Sequence, residues 1–315
     1  MKKIYLLLSF MLMVSCASEE NLPTATVKLA VVVTSNVFDV KSDGAVVNAN
    51  VSEESTAPVT NRGVCWSTAT EPTVGSNAKS DGENGGGSFS ETITGLVPNT
   101  NYYVRAFAEN KAGVSYGNQI AFKTHLVTPP VTDIDGNVYE TIQIGSQLWM
   151  KENLKTTRYC NGDEIPNVTG NNWFSLTSGA WRYYDNRSEN NAVYGKLYNW
   201  YAATDARNVC PCDWHLPTRE EWLALINHVG YNGGKLKSVT GWNGPNTGAT
   251  NETGFTGLPG GFRGSSNLLF YFGTEGGWWK NHVNDEAFVL TSFSDGLGNV
   301  VLGKTTGASI RCIKN

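Results

Sequence analysis

Four cysteines stand in the C-terminal half of this chain, at 160, 210, 212 and 312, and two of them open the stretch CPCDWHLPTREEW, residues 210–222. Their oxidation state decides what the region can fold into. Paired, they fix two long-range closures; reduced, they offer thiolates to a metal or a substrate. A bridge from Cys210 to Cys212 would close too tight a ring around Pro211, so two of the three pairings open to four cysteines remain. The reduced alternative is a zinc site of Cys210, Cys212 and His215 with Cys160 or Cys312. Structural zinc cysteines usually come in paired knuckles, and no second knuckle follows here.

The N-terminus bears on that choice. MKK supplies two positive charges and residues 4–14 are apolar, the charged and hydrophobic regions of a secretory signal. The run is too short to span a bilayer, which takes about 20 apolar residues. LMVSC ends in Cys16 and resembles the lipobox of bacterial lipoproteins, in which the cysteine becomes the acylated N-terminus. The following ASEE is similar to the acidic tag of Bacteroidota-type lipoproteins displayed on the outer face of the outer membrane. The expectation is a signal peptide over 1–15, lipidation at Cys16, a tether over 16–25, and an outer-membrane, lipid-anchored protein facing the exterior. An even set of cysteines in an exported chain favours disulfides.

Charge argues against nucleic acid as a partner. There are 9 basic and 11 acidic residues before Pro130, and 15 and 17 after it, so neither half offers a basic footprint. From Thr26 to Thr124 the pattern is short alternating strands: TVKLAVVVT, GAVVNANVS, NRGVCWS, GSFSETI, NYYVRAFAEN and GNQIAFKT. Short strands separated by Gly, Pro and Asn predict an all-β sandwich. TGLVPNTNYYVRAFAENKAG resembles the tyrosine corner and next strand of fibronectin type III domains. The likeness implies that Tyr102 or Tyr103 bonds back across the corner and that Trp66 fills the space between sheets. Cys65 reads as a packed small hydrophobe. DGENGGGS, 81–88, lacks the lysine and helix of a phosphate loop. HLVTPP, 125–130, predicts a stiff proline linker, with the first module as a spacer.

In the second module, 131–315, DIDGN has the opening spacing of a calcium loop, but its glycine comes early and no acid closes the loop. Asp-Gly between alternating apolar residues predicts a hairpin. Tyr194, Leu197, Tyr198 and Tyr201 fall at helical spacing, predicting a helix over 193–204. Thr218 and Glu221 form a capping box ahead of Trp222, Leu225, Ile226 and Val229, and Gly230 ends that second helix. Glu220 and Glu221 complement its dipole.

In chain order the module carries DIDGNVYETIQIGSQLWMKENLKTTRY, NGDEIP, YGKLYNWYAA, CPCDWHLPTREEW, GFTGLPGGFR, GGWW and ASIRCIKN. These motifs resemble the Fibrobacter succinogenes major paralogous domain. HLPTREEW and IRCIK are also similar to formylglycine-generating enzymes and, more distantly, C-type lectin folds. The resemblance implies an irregular α+β module and no established reaction. It aligns Cys210 with Cys312, which leaves Cys160 to Cys212. A cysteine enzyme of the formylglycine-generating kind would need a free thiol, and these pairs would consume them. There is no nucleophile elbow for a serine triad. No catalytic residue and no cofactor is expected.

Nine of the ten tryptophans lie in this module. If GGWW is a strand, Trp278 and Trp279 point to opposite faces, which leaves one free to be exposed; the alternative is that this ring and the loop tryptophans bury under long loops. Trp279, with Trp173, Trp181 and Trp242 in loop-like Gly/Asn stretches, is the candidate ligand-binding set. The expected function is a non-catalytic surface lipoprotein binding a glycan or a surface protein. The alternative is a structural subunit of a surface assembly.

Overall fold

The computed structural model describes residues 26–53, 57–264 and 269–315. Cys16, the signal and the tether fall outside the described residues.

The first module has two sheets. One is built from β1 (Val31–Phe38), β2 (Gly44–Glu53) and β5 (Gly87–Thr94) in the order β1-β2-β5. The other contains β3 (Asn61–Ser67), β4 (Asn77–Ser80), β6 (Asn101–Asn110) and β7 (Gly113–Tyr116), ordered β4-β3-β6-β7, with β8 (Ile120–Lys123) also paired to β6. Alternation explains the layering. Ala45, Val47, Ala49 and Val51 of β2 and Val104, Ala106 and Ala108 of β6 point inward and are buried, as successive strand residues must face opposite sides. The corner tyrosine is Tyr102, whose hydroxyl accepts from the Val97 N–H at 3.1 Å. Trp66 is only partly buried at the edge of this core. Cys65 is fully buried, and burial pushes its thiol up to about 11.

The linker does not simply hold the modules apart. Asp39 N–H donates to the Thr250 carbonyl at 2.8 Å, and His125 Nε2 donates to the Glu252 carbonyl at 2.8 Å.

The second module begins with the hairpin β9 (Val131–Thr132) and β10 (Val138–Tyr139). Asp133 organises its turn by accepting from the Asp135 and Asn137 N–H groups and the Tyr139 hydroxyl. Next come β11 (Thr141–Ile144), β12 (Gln147–Met150), β13 (Trp181–Arg182), α1 (Asn191–Tyr194), β14 (Leu197–Tyr198), α2 (Trp200–Ala203), β15 (Trp214–His215) and α3 (Arg219–His228). The chain ends with β16 (Phe262–Arg263), β17 (Leu269–Phe270), β18 (Glu275–Trp279), β19 (Glu286–Thr291), β20 (Gly298–Val301) and β21 (Ile313–Lys314). A four-stranded sheet runs β11-β12-β21-β15 and a three-stranded one β18-β19-β20.

The expected helix over 193–204 is overturned. It breaks into α1, β14 and α2 because Gly195 takes φ 71°, a conformation that ends a helix and suits glycine. A Cβ there would also meet Asn153 and Leu154 at 2.8–3.0 Å. Tyr198 instead pairs with Trp181 and bridges Ala308. The second helix forms as read, with both halves of the capping box present and Trp222, Leu225, Ile226 and Val229 buried.

Candidate functional site

The opening motif is a brace. Cys210 bonds to Cys312 and Cys212 to Cys160, so its thiols are held in bridges. Trp214 and His215 form β15 against the terminal strand β21. His215 Nε2 faces the Glu221 carboxylate at 2.9 Å and Nδ1 the Asn315 side chain at 2.5 Å. Glu221 also accepts from the Thr218 N–H at 2.8 Å. His215 thereby joins helix α3 to the end of the chain, and Thr218 and Glu221 cap the helix start.

Two distant motifs meet at Asn153. Its Oδ1 accepts from Trp278 Nε1 at 2.7 Å and Arg311 Nη2 at 2.8 Å, while its Nδ2 donates to the Tyr194 carbonyl at 2.9 Å. Arg311 is fully buried, lies 4.2 Å from the Phe255 ring centroid, and donates to the Phe255 carbonyl. Burial pulls its guanidinium down to about 9. A buried cation with hydrogen-bonded and aromatic partners is scaffold chemistry here.

The tryptophan candidates are corrected by burial. Trp278 and Trp279 do point to opposite faces, but a hydrophobic cluster covers each face and both are 0 % exposed. Trp279 Nε1 donates to the Tyr198 carbonyl at 2.7 Å. Trp173 is buried with its Nε1 on the Thr305 carbonyl at 2.6 Å, and Trp181 is buried beneath the Lys196 ammonium. Trp242 is partly buried, packed on the α3 core with its Nε1 on the Gly257 carbonyl at 3.0 Å. Loop-like sequence context misled because long loops in this module wrap inward over these rings. The four candidates do not come together in one open site.

An exposed aromatic does line a cavity elsewhere. Between β16 and the β18–β20 sheet lies a groove of about 490 Å³, walled by Tyr271, Glu275, Val300 and Leu302 over Phe262 and Val289. Its floor depends on Gly277, where a Cβ would come within 1.9 Å of the Phe262 ring. The missing side chain lets the tip of that ring reach the β18 backbone. Tyr271 is 55 % exposed and sits at φ 67°, unusual for a bulky residue. Its carbonyl accepts from the N–H groups of Thr274 at 2.9 Å and Glu275 at 2.7 Å, which holds the turn. Behind it, Phe272 stacks on Tyr184 with ring centroids 4.4 Å apart. Burial pushes the Glu275 carboxyl above its ordinary value. An apolar floor with one aromatic wall and a desolvated acid has the make-up of a small-ligand site. The sequence signal is the aromatic run Phe270, Tyr271 and Phe272 ahead of Gly273, in which Phe270 closes β17 and the next two residues lead into the turn.

The profile of the Fibrobacter succinogenes major domain matches residues 142–314. The chain belongs to this family. The matched region contains both disulfides, the Asn153 hub and the groove. Among solved structures, a sensor domain of the anti-sigma factor RsgI4 in Pseudobacteroides cellulosolvens is 18 % identical, with 31 % of this chain and 97 % of that one covered and a TM-score of 0.23. A fibronectin type III domain from human KIAA0970 protein is also 18 % identical, over 33 % of this chain and 79 % of that one, with a TM-score of 0.24. The sandwich itself is evident from strand order and the Tyr102 corner. No curated protein matches the chain.

Proposed function

We propose that this is an exported, lipid-anchored surface protein whose Fibrobacter succinogenes major domain binds carbohydrate non-catalytically in the Tyr271–Glu275 groove. The observation that carries the reading is the exposed tyrosine ring beside a half-buried carboxylate over an apolar floor. A sugar presents an apolar C–H face that packs on a ring and hydroxyls that donate to a carboxylate, which this combination suits. Non-catalytic action is supported by the two bridges, which occupy all four cysteines of the module. Kinship with C-type lectin and formylglycine-generating enzyme folds is part of this reading. It is supported by the way the segment before α3 is tied to the last strand.

Binding of the full chain to a glycan array tests the function. The expected result is a reproducible set of hits, lost in Tyr271→Ala. A blank array would overturn it and favour a structural subunit of a surface assembly. Anchoring is tested separately: a palmitate analogue should label the wild type and not Cys16→Ala.

A further inference from the structure

The sheet β18–β20 sets three side chains of complementary chemistry against one another. Lys280 directly follows β18, and its N–H donates to the Glu286 carbonyl at 3.0 Å, one step on from the paired Trp279 and Ala287. Lys280 and Glu286 therefore face each other across the hairpin. Asn299 on β20 stands opposite Phe288. Opposed residues share a face of an antiparallel pair, and so do residues two apart on one strand. Lys280, Glu286 and Asn299 thus fall on one face, and their side chains agree. The Lys280 side chain is 2 % exposed; Nζ donates to Asn299 Oδ1 and lies 3.7 Å from Glu286 Oε2. The second carboxylate oxygen of Glu286 is 3.6 Å from His282 Nδ1.

A buried lysine is ordinarily held by hydrogen-bond acceptors that offer its amine nothing to attack. Lys237 is of that kind: fully buried, it donates to the backbone carbonyls of Thr247, Thr291 and Ser294 at 2.6–3.0 Å. Lys280 instead meets a side-chain primary amide, whose carbon carries a nitrogen able to depart as ammonia, and a carboxylate 3.7 Å from the amine. Burial favours the neutral, nucleophilic amine at this position, against the pull of Glu286 toward the ammonium.

We propose that Lys280 and Asn299 join in an intramolecular isopeptide bond, with Glu286 carrying the proton. The Nζ lone pair of the neutral amine attacks Asn299 Cγ, forming the C–N bond and moving the carbonyl π pair onto Oδ1. Glu286 accepts a proton from Nζ and delivers it to Nδ2. The carbonyl re-forms as the Cγ–Nδ2 bond breaks, and ammonia leaves. One amine and one primary amide give one secondary amide and one ammonia. No oxidant or further reactant is needed, and Glu286 ends as it began. The bond ties the end of β18 to β20 over the central strand, fixing the Val300 wall of the groove. It stands independently of what the groove binds.

Peptide mapping and intact mass of the reduced, denatured full chain test the bond. The expected wild-type result is a chain lighter than its sequence by one ammonia and resistant to trypsin at Lys280, yielding a branched peptide that joins Lys280 to Asn299. Glu286→Gln and Asn299→Ala should each restore normal mass and cleavage. A wild-type chain of full mass cut at Lys280 overturns the proposal whatever the variants do. So does an ammonia loss that mapping places at an Asn-Gly step such as 161–162 or 232–233.

Discussion

Removing the two disulfides one at a time should cost unequal amounts, and the reason lies more in burial than in loop length. Cys210–Cys312 spans 102 residues and Cys160–Cys212 spans 52. In the chain-entropy model these closures are worth about 4.7 and about 4.1 kcal/mol, a difference under about 1 kcal/mol. Burial separates them further. Cys210 and Cys312 lie inside the larger core cluster, whereas Cys212 is exposed. Replacing the buried pair by serine puts two hydroxyls among apolar side chains, at roughly 1–3 kcal/mol each where no partner is found. The Cys210→Ser/Cys312→Ser chain should lose on the order of 7 kcal/mol, and Cys160→Ser/Cys212→Ser about 4. Against a typical stability of about 5–15 kcal/mol the first loss threatens folding outright. Urea unfolding followed by tryptophan fluorescence reads the difference. With a slope of about 2 kcal/mol per molar, the midpoints should fall by about 3.5 M and about 2 M respectively. Equal shifts, or a larger one for the 160–212 pair, would refute the reasoning.

Asn153→Ala should cost about 3 kcal/mol, because it leaves the buried Arg311 guanidinium and the Trp278 indole short of their shared acceptor; thermal or urea unfolding checks it. Trp279→Ala should cost roughly 3–5 kcal/mol as a core cavity, so any loss of ligand binding in it should coincide with loss of the cooperative transition. Glu275→Gln should stabilise the protein at neutral pH. With its folded carboxyl raised above the unfolded value, the native state holds more protons across that window. The wild type should lose stability as pH climbs from the ordinary carboxyl range through the raised one. A melting-temperature series over pH should show this slope flattened in the variant.

The elements set by local chemistry were legible in the sequence. Alternation marked the inward faces of β2 and β6, and the capping box at Thr218 and Glu221 located α3 to the residue. The family resemblance aligned Cys210 with Cys312 and left Cys160 to Cys212, and the structure has both pairs. What stayed hidden depends on contacts distant in sequence. Period-two reasoning placed Trp278 and Trp279 on opposite faces, but nothing local says that each face meets its own core. Helical spacing at Tyr194, Leu197, Tyr198 and Tyr201 was real, yet Gly195 and the pairing of Tyr198 with Trp181 and Ala308 outweighed it. The groove was missed because its walls come from four separated segments, and Tyr271 looks like core until the turn at Gly273 pushes it outward.

The affinity of the wild type and Tyr271→Ala for the strongest array ligand, measured by calorimetry alongside their melting temperatures, tests the binding account most directly. Loss of at least about tenfold in Kd, roughly 1.4 kcal/mol, with unchanged melting is the expected result. Unchanged affinity in that variant would contradict it and place recognition on another surface.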